Sequence, residues 1–302
     1  MATIADKLPG QVPSNVRTVP WPAIAWFGIL LIGAYFPILV KLVVQWGTDD
    51  DWTHGFFVPV VAGYIAWTRR ETLLSTEWKP AWWGIGIVLW AGVQGYLGLL
   101  GAELFLQRTA FLLSLLGMLL ILGGTGLIRQ LAFPLLLLPF MIPLPTVVYN
   151  QITFPLQLFA SAVAEKSLDV LNVPVLRDGN ILELASQKLS VAEACSGIRS
   201  LLSLSFLALV YAYLFDRKVW MRWVLLVATV PIAIVANAAR VTLTGVFSEI
   251  DPALAAGFFH EAEGFVIFAV ALVMLVVVHQ LLNWVYRRWH KEPSVPKEQT
   301  LA

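Results

Sequence analysis

Residues 197–222 read GIRSLLSLSFLALVYAYLFDRKVWMR. From Gly197 to Phe215 the run is apolar and holds one charge, Arg199, near its start. A bilayer crossing needs about 20 such residues. The run stops at Asp216-Arg217-Lys218, with Arg222 one turn later. A cationic stop beside an apolar run marks a cytoplasmic loop. Just before the run, in AEACSGIRS (192–200), stands the only cysteine of the chain.

Composition extends this reading to the whole chain. Of 302 residues, 59% are hydrophobic and 13% charged, and the mean hydropathy is +0.77. Soluble domains carry about 25% charged residues, so this chain lacks the polar surface a soluble fold needs. Thirteen tryptophans suit a membrane protein, because indole rings favour the headgroup region. A net charge of +1 gives no indication of nucleic acid. One cysteine excludes an internal disulfide and a cysteine-based metal cluster within the chain.

Apolar runs predict eight spans, at roughly 21–46, 53–68, 81–101, 105–123, 127–147, 197–215, 219–247 and 258–286. The second is short and contains Pro59; the fourth begins near Arg108, expected to snorkel toward the interface. Eight spans put Lys7 and Arg17, Arg69, Arg70 and Lys79, Arg129, Arg217, Lys218 and Arg222, and Arg287, Arg288 and Lys291 on one side, the cytoplasmic one. Asp49-Asp50-Asp51 and Glu249–Asp251 fall opposite. The organisation is then an all-α membrane domain over 21–286, between cytoplasmic tails at 1–20 and 287–302. The first run is too long for a signal-peptide core and no cleavage site is convincing, so it reads as a retained helix.

Residues 148–194 form the long extracytoplasmic segment. QITFPLQLFASAVAEKSLDVLN (151–172) is amphipathic and predicts an interfacial helix. Asp178-Gly179-Asn180, set between apolar alternations, predicts a β-hairpin that delivers the chain to Cys195.

Ionisable and reactive side chains within spans are functional candidates. Cys195 begins the sixth span, Arg240 sits late in the seventh (IVANAARVTLTG, 234–245), and His260 begins the eighth (FFHEAEGF, 258–265). The charge map, drawn from loops alone, puts all three near the outer face. A thiolate can attack a carbonyl, a histidine can move protons, and an arginine can hold a carboxylate or an oxyanion. A cysteine at a helix N-terminus has its pKa lowered by the amides there. On residues alone the ordinary readings stay open: a packing cysteine, a snorkelling or ion-paired Arg240, an interfacial His260. Around them, Asn237 shares a helix face with Arg240, and Gly264 stands one turn after His260. Glu263 can orient the imidazole or lie in a solvated rim. Arg199, one turn after Cys195, can steady a thiolate. Ser196 and Glu193 neighbour the cysteine, and His54 lies on the same predicted side. His279 and His290 fall toward the other side, out of reach.

VAEACSGIRSLLSL (191–204), ANAARVTLTG (236–245) and HEAEGFVIF (260–268), in this order, resemble the three signature segments of the exosortase/archaeosortase family. DWTHGFFVPVVAGYIAW (51–67) is similar to its early His-Gly segment. The resemblance covers about residues 21–286. It implies a multi-pass protein of the bacterial inner membrane that acts as a cysteine protease–transpeptidase, its active site facing the periplasm. Cys195 would be nucleophile, His260 acid–base and Arg240 the substrate or oxyanion ligand, with no cofactor and no metal. Implied substrates are exported proteins with a PEP-CTERM-type C-terminal signal: a short motif, one transmembrane helix and a basic tail. The product passes to water or to a surface acceptor, in a setting linked to exopolysaccharide.

Two other classes fit parts of the sequence. A transporter or lipid-linked glycan-handling protein would use the Pro-rich break PFMIPLP (139–145) and Arg240; a structural subunit of a secretion assembly would need none of the three residues. Both predict that Cys195 is dispensable.

Overall fold

The computed structural model describes residues 19–191, 197–251 and 258–289, with side chains described throughout except at 197–199 and 258–263. The chain forms two compact units, divided between Leu144 and Pro145.

The N-terminal unit holds helices α1 (Trp21–Thr48), α2 (Phe57–Thr68), α3 (Arg70–Ser75), α4 (Gly84–Leu100) and α5 (Leu104–Leu137). Single 3-10 helices follow α1 (Asp50–Phe56) and α5 (Leu138–Met141). Helices α4 and α5 form a tight hairpin. The Gly98 carbonyl accepts from the Glu103 amide at 2.8 Å, and Leu120 O accepts from Ala81 N at 3.0 Å. Glu103 caps α5 by accepting from the amides of Phe105 and Leu106 at 2.8 and 3.2 Å.

α5 is helical on both sides of Gly124, where the backbone departs to φ 72°, ψ −167°. Contacts on either side require the chain to reverse there. Tyr35 of α1 bonds Ser114 at 2.9 Å, and Ile24 packs with Leu122 and Leu127. The first arm of α5 therefore descends along α1. Yet Trp46, about 16 Å up α1 from Tyr35, donates its indole N–H to Met141 O at 2.9 Å. Only a return arm brings residue 141 back to that end. The turn falls in the gap between the fourth and fifth expected spans. It has a local cause: a Cβ at Gly124 would land on the Lys79 carbonyl, and this φ/ψ region is open essentially to glycine alone.

The second expected span is a 3-10 turn followed by α2, whose 12 residues rise about 18 Å. Pro59 lies in the first turn of α2, where a missing N–H costs nothing. His54 meets Phe140 at one end of the return arm, and Leu73 joins Leu122 and Leu127 at the other. Residues 54–73 thus run the length of that arm as short helices. Among the described residues, and by length and composition alone, four helical stretches are long and apolar enough to cross a bilayer: Trp21–Thr48, Leu104–Met141 (which contains the reversal at Gly124), Val219–Ile250 and Gly264–Trp289. Gly84–Leu100 and Ser200–Phe215 are apolar but shorter.

The C-terminal unit holds α6 (Thr146–Val170), strands β1 (Val175–Asp178), β2 (Ile181–Leu184) and β3 (Lys188–Ser190), then α7 (Gly197–Phe215), α8 (Val219–Ile250) and α9 (Phe258–Trp289). The expected hairpin forms on the expected residues. Asp178 pairs with Ile181 across the two-residue loop Gly179-Asn180, with φ positive at Gly179 only, the pattern of a type II′ turn. A third strand extends the hairpin into a meander in which Leu182 pairs with Leu189. Strand β3 alternates: Leu189 and Val191 point into the core while Lys188 is exposed.

This sheet lies on α6. Ala160, Ala164 and Leu168, spaced at one helix turn, share a buried cluster with Leu182, Leu184, Leu189, Val191 and, from α8, Val241. Small residues on α6 let the strands approach. The hairpin tip is pinned as well: Ser161 Oγ donates to Gly179 O at 3.0 Å, and Arg177 pairs with Glu165 at 2.7 Å. The amphipathic face of this segment thus serves the sheet. A second core joins the last three helices through Leu204, Ala208 and Ala212 of α7, Leu225 and Ile232 of α8, and Ala271 and Leu275 of α9.

Candidate functional site

α8 carries two of the predicted residues, Asn237 and Arg240. Asn237 is buried and lines a crevice with Leu201 of α7, Leu156 of α6 and Val230, Ala233 and Ile234. One turn on, Arg240 is partly buried and reaches α9. A Cβ added at Gly264 would lie 3.4 to 3.6 Å from its Nη2, Cζ and Nη1. The guanidinium therefore rests on the bare backbone of Gly264, and a larger side chain would occupy its place. Further along, Val241 enters the sheet core, Gly245 seats Leu168 and Leu184, and Glu249 accepts from the Ser186 amide at 2.9 Å. The last contact ties the β2–β3 turn to the end of α8.

Cys195, Ser196 and Glu193 lie outside the described residues. Their neighbours on both sides are described. Val191 belongs to the same buried cluster as Val241, and Leu201 shares the crevice with Asn237. Val241 and Asn237 flank Arg240 on α8. The described residues on either side of that segment, Val191 and Leu201, thus both meet α8, at Val241 and at Asn237. Arg199 falls in the first turn of α7. His260 and Glu263 fall in the first turns of α9, His260 one turn before Gly264.

His54 stands in the N-terminal unit. Its Nε2 donates to Phe140 O at 3.1 Å. Burial lowers its pKa, against the opposing pull of the Phe140 and Asp51 carbonyls and the Asp51 charge. The His-Gly pair has a packing reason: a Cβ at Gly55 would sit inside the Trp46 indole. The same indole bonds Met141 and stacks edge-on with Phe56.

His279 is committed elsewhere, about 28 Å along α9 from His260. Its Nε2 meets Asp216 Oδ2 at 3.0 Å and its Nδ1 accepts from the Tyr211 hydroxyl at 2.9 Å. Burial pushes the Asp216 carboxyl up. Hydrogen bonds from His279, the Lys218 amide and Asn283, with the Lys218 charge, outweigh this and hold it below the ordinary carboxylate range. This network closes α7, α8 and α9 at the end remote from Arg240. Sequence reasoning set His279 aside by depth but did not find its partners, since a buried Asp216 in a cationic loop looks solvated. Arg108 differs from expectation more sharply: it does not snorkel but is 3% exposed.

Apolar helices of this length, with a small sheet at one end of the last helices, define an integral membrane protein. The family model for transmembrane exosortases matches residues 46–277. The chain belongs to that family. No curated protein and no solved structure matches it.

Proposed function

We propose that this chain is a membrane-embedded cysteine protease–transpeptidase that removes the C-terminal sorting signal of exported proteins. Cys195 is the nucleophile, His260 the acid–base and Arg240 the ligand of the oxyanion or of a substrate carboxylate. The observation that carries this reading is the seat of Arg240. Its guanidinium lies on Gly264, one helix turn from His260, on the helix that also meets Val191 and Leu201.

The Cys195 thiolate adds to the scissile carbonyl carbon, and the oxygen takes the negative charge. Arg240 meets that charge with fixed donors, which act most strongly in a site without water. The C–N bond then breaks and His260 gives a proton to the leaving amine. A thioester to Cys195 remains. Water or an acceptor amine, deprotonated by His260, attacks the thioester and releases the thiolate. Asn237 holds the substrate backbone or the guanidinium. Ser196, Arg199 and Glu263 support these groups. The enzyme resides in the bacterial inner membrane, both termini cytoplasmic and the site facing the periplasm. Its substrates carry a PEP-CTERM-like motif, a transmembrane helix and a basic tail.

The chain is co-expressed with such a substrate, and membranes are treated with hydroxylamine. The expected product is the substrate cut at its motif and recovered as a hydroxamate. A substrate that stays intact, or is cut with no hydroxamate and no sensitivity to thiol alkylation, would count against the thioester route. The seat of Arg240 makes a separate prediction. Gly264→Ala keeps near-normal processing, since its Cβ meets the guanidinium at ordinary contact. Gly264→Leu displaces it and lowers processing about 10²-fold, the loss typical of an absent oxyanion donor. Comparable rates for the two variants would remove Arg240 from the mechanism.

A further inference from the structure

We propose that Arg108 anchors a site for the phosphate of an anionic membrane lipid, on the α4–α5 hairpin of the N-terminal unit.

Arg108 lies just beyond the first turn of α5 and is 3% exposed. Polar side chains elsewhere in the hairpin spend their donors within it. Gln94 donates to Leu106 O at 3.0 Å and to Thr109 Oγ1 at 2.7 Å. Gln107 donates to Gly98 O at 3.0 Å. Arg108 makes no such contact: its Nε is sealed from solvent without a hydrogen-bond partner, and among the described residues no ion pair or hydrogen bond reaches it. The carboxylate nearest in sequence, Glu103, is exposed and caps the helix through its Oε2; its charge reaches Arg108 only from beyond ion-pair distance.

A guanidinium cannot shed its proton to escape this position. A buried cation without a partner is strongly disfavoured, so its presence within an apolar helix indicates a ligand. That ligand is an anion. Five donors in a planar fork match phosphate oxygens two at a time. The surrounding helix is among the most apolar of the chain, so the anion must arrive on a molecule soluble in the bilayer. Basic positions between membrane helices take lipid headgroups in this way.

The full chain is purified in mild detergent, delipidated, and titrated with phosphatidylglycerol, phosphatidylcholine and inorganic phosphate. Binding is read by native mass spectrometry and by thermal unfolding. Phosphatidylglycerol is expected to bind and raise the melting temperature of the wild type, with phosphatidylcholine weaker and inorganic phosphate without effect. Arg108→Gln weakens phosphatidylglycerol binding about tenfold or more. Arg108→Met, which removes the charge and keeps the volume, melts no lower than the delipidated wild type and no longer responds to the lipid. This second variant reads the site even where the glutamine variant does not fold. Equal phosphatidylglycerol binding by wild type and Arg108→Met overturns the proposal. Stabilisation by inorganic phosphate as large as by the lipid assigns the site to a free anion and overturns the lipid assignment.

Discussion

Replacing Cys195 with alanine is expected to abolish processing of a tailed substrate while the protein still folds. The chain has one cysteine, so no other thiol can take over and no disulfide is lost. Removing a nucleophile from a covalent mechanism costs roughly 10⁴-fold or more, because the route through the acyl intermediate disappears. Cys195→Ser retains the geometry but presents a hydroxyl, which is far less ionised near neutral pH. It is expected to lie close to the alanine variant. The measurement is the fraction of tailed substrate cleaved in membranes, with the variant enzyme shown to be monodisperse and to melt as the wild type does. The same variants separate the competing classes: a transporter or a structural subunit would function unchanged with alanine at 195. Undiminished cleavage by Cys195→Ala would end the proposed mechanism.

Gly124→Ala is expected to have the largest effect on stability. Two costs add. The φ of 72° with ψ of −167° lies in a region that costs a side chain about 1–3 kcal/mol. The new Cβ would also collide with the Lys79 carbonyl, a backbone atom with no rotamer to escape into, and overpacking of that kind adds about 1–3 kcal/mol. The sum approaches the roughly 5–15 kcal/mol that holds a typical domain together. Loss is expected as poor expression or a melting temperature many degrees lower in detergent. Gly126→Ala is the control. Its Cβ would meet Thr76 Cγ2 at 3.4 Å and Glu77 O at 3.8 Å, both ordinary contacts, and alanine favours the helix by about 1 kcal/mol, so it should melt at or above the wild type. If both variants melt alike, the chain does not reverse at Gly124.

Much of the architecture was legible because it depends on local pattern. Apolar runs read as helices, and the gap between the fourth and fifth of them, at 124–126, falls where the backbone turns. Asp178-Gly179-Asn180 read as a hairpin turn because only certain residues accept its dihedrals. Strand β3 was missed: three residues carry too little periodicity to be distinguished from a loop, and its pairing with β2 depends on the core beneath. The second span was read as one helix across a stretch that contains a 3-10 turn. The Trp46 and His54 bonds to residues 140 and 141, some 90 positions away, hold that turn. No window of sequence contains both partners.

The candidate site divides the same way. Residue type and depth singled out Cys195, Arg240 and His260, and the loop charges assigned them a common level. That Arg240 rests on Gly264, and that α8 meets both the sheet and α7, follows from packing and not from spacing. Arg108 shows the limit most clearly. In sequence it is a cation at the start of an apolar run, where a long flexible side chain usually reaches water. In the fold it is 3% exposed, and no hydrogen bond or ion pair from the described residues reaches it. Chain composition alone determined that this protein lives in a bilayer and which residue types could do chemistry there, because hydrophobicity and charge are properties of each residue. Which of those residues meet was decided by the tertiary structure, because burial and contact belong to pairs that the chain brings together only when it folds.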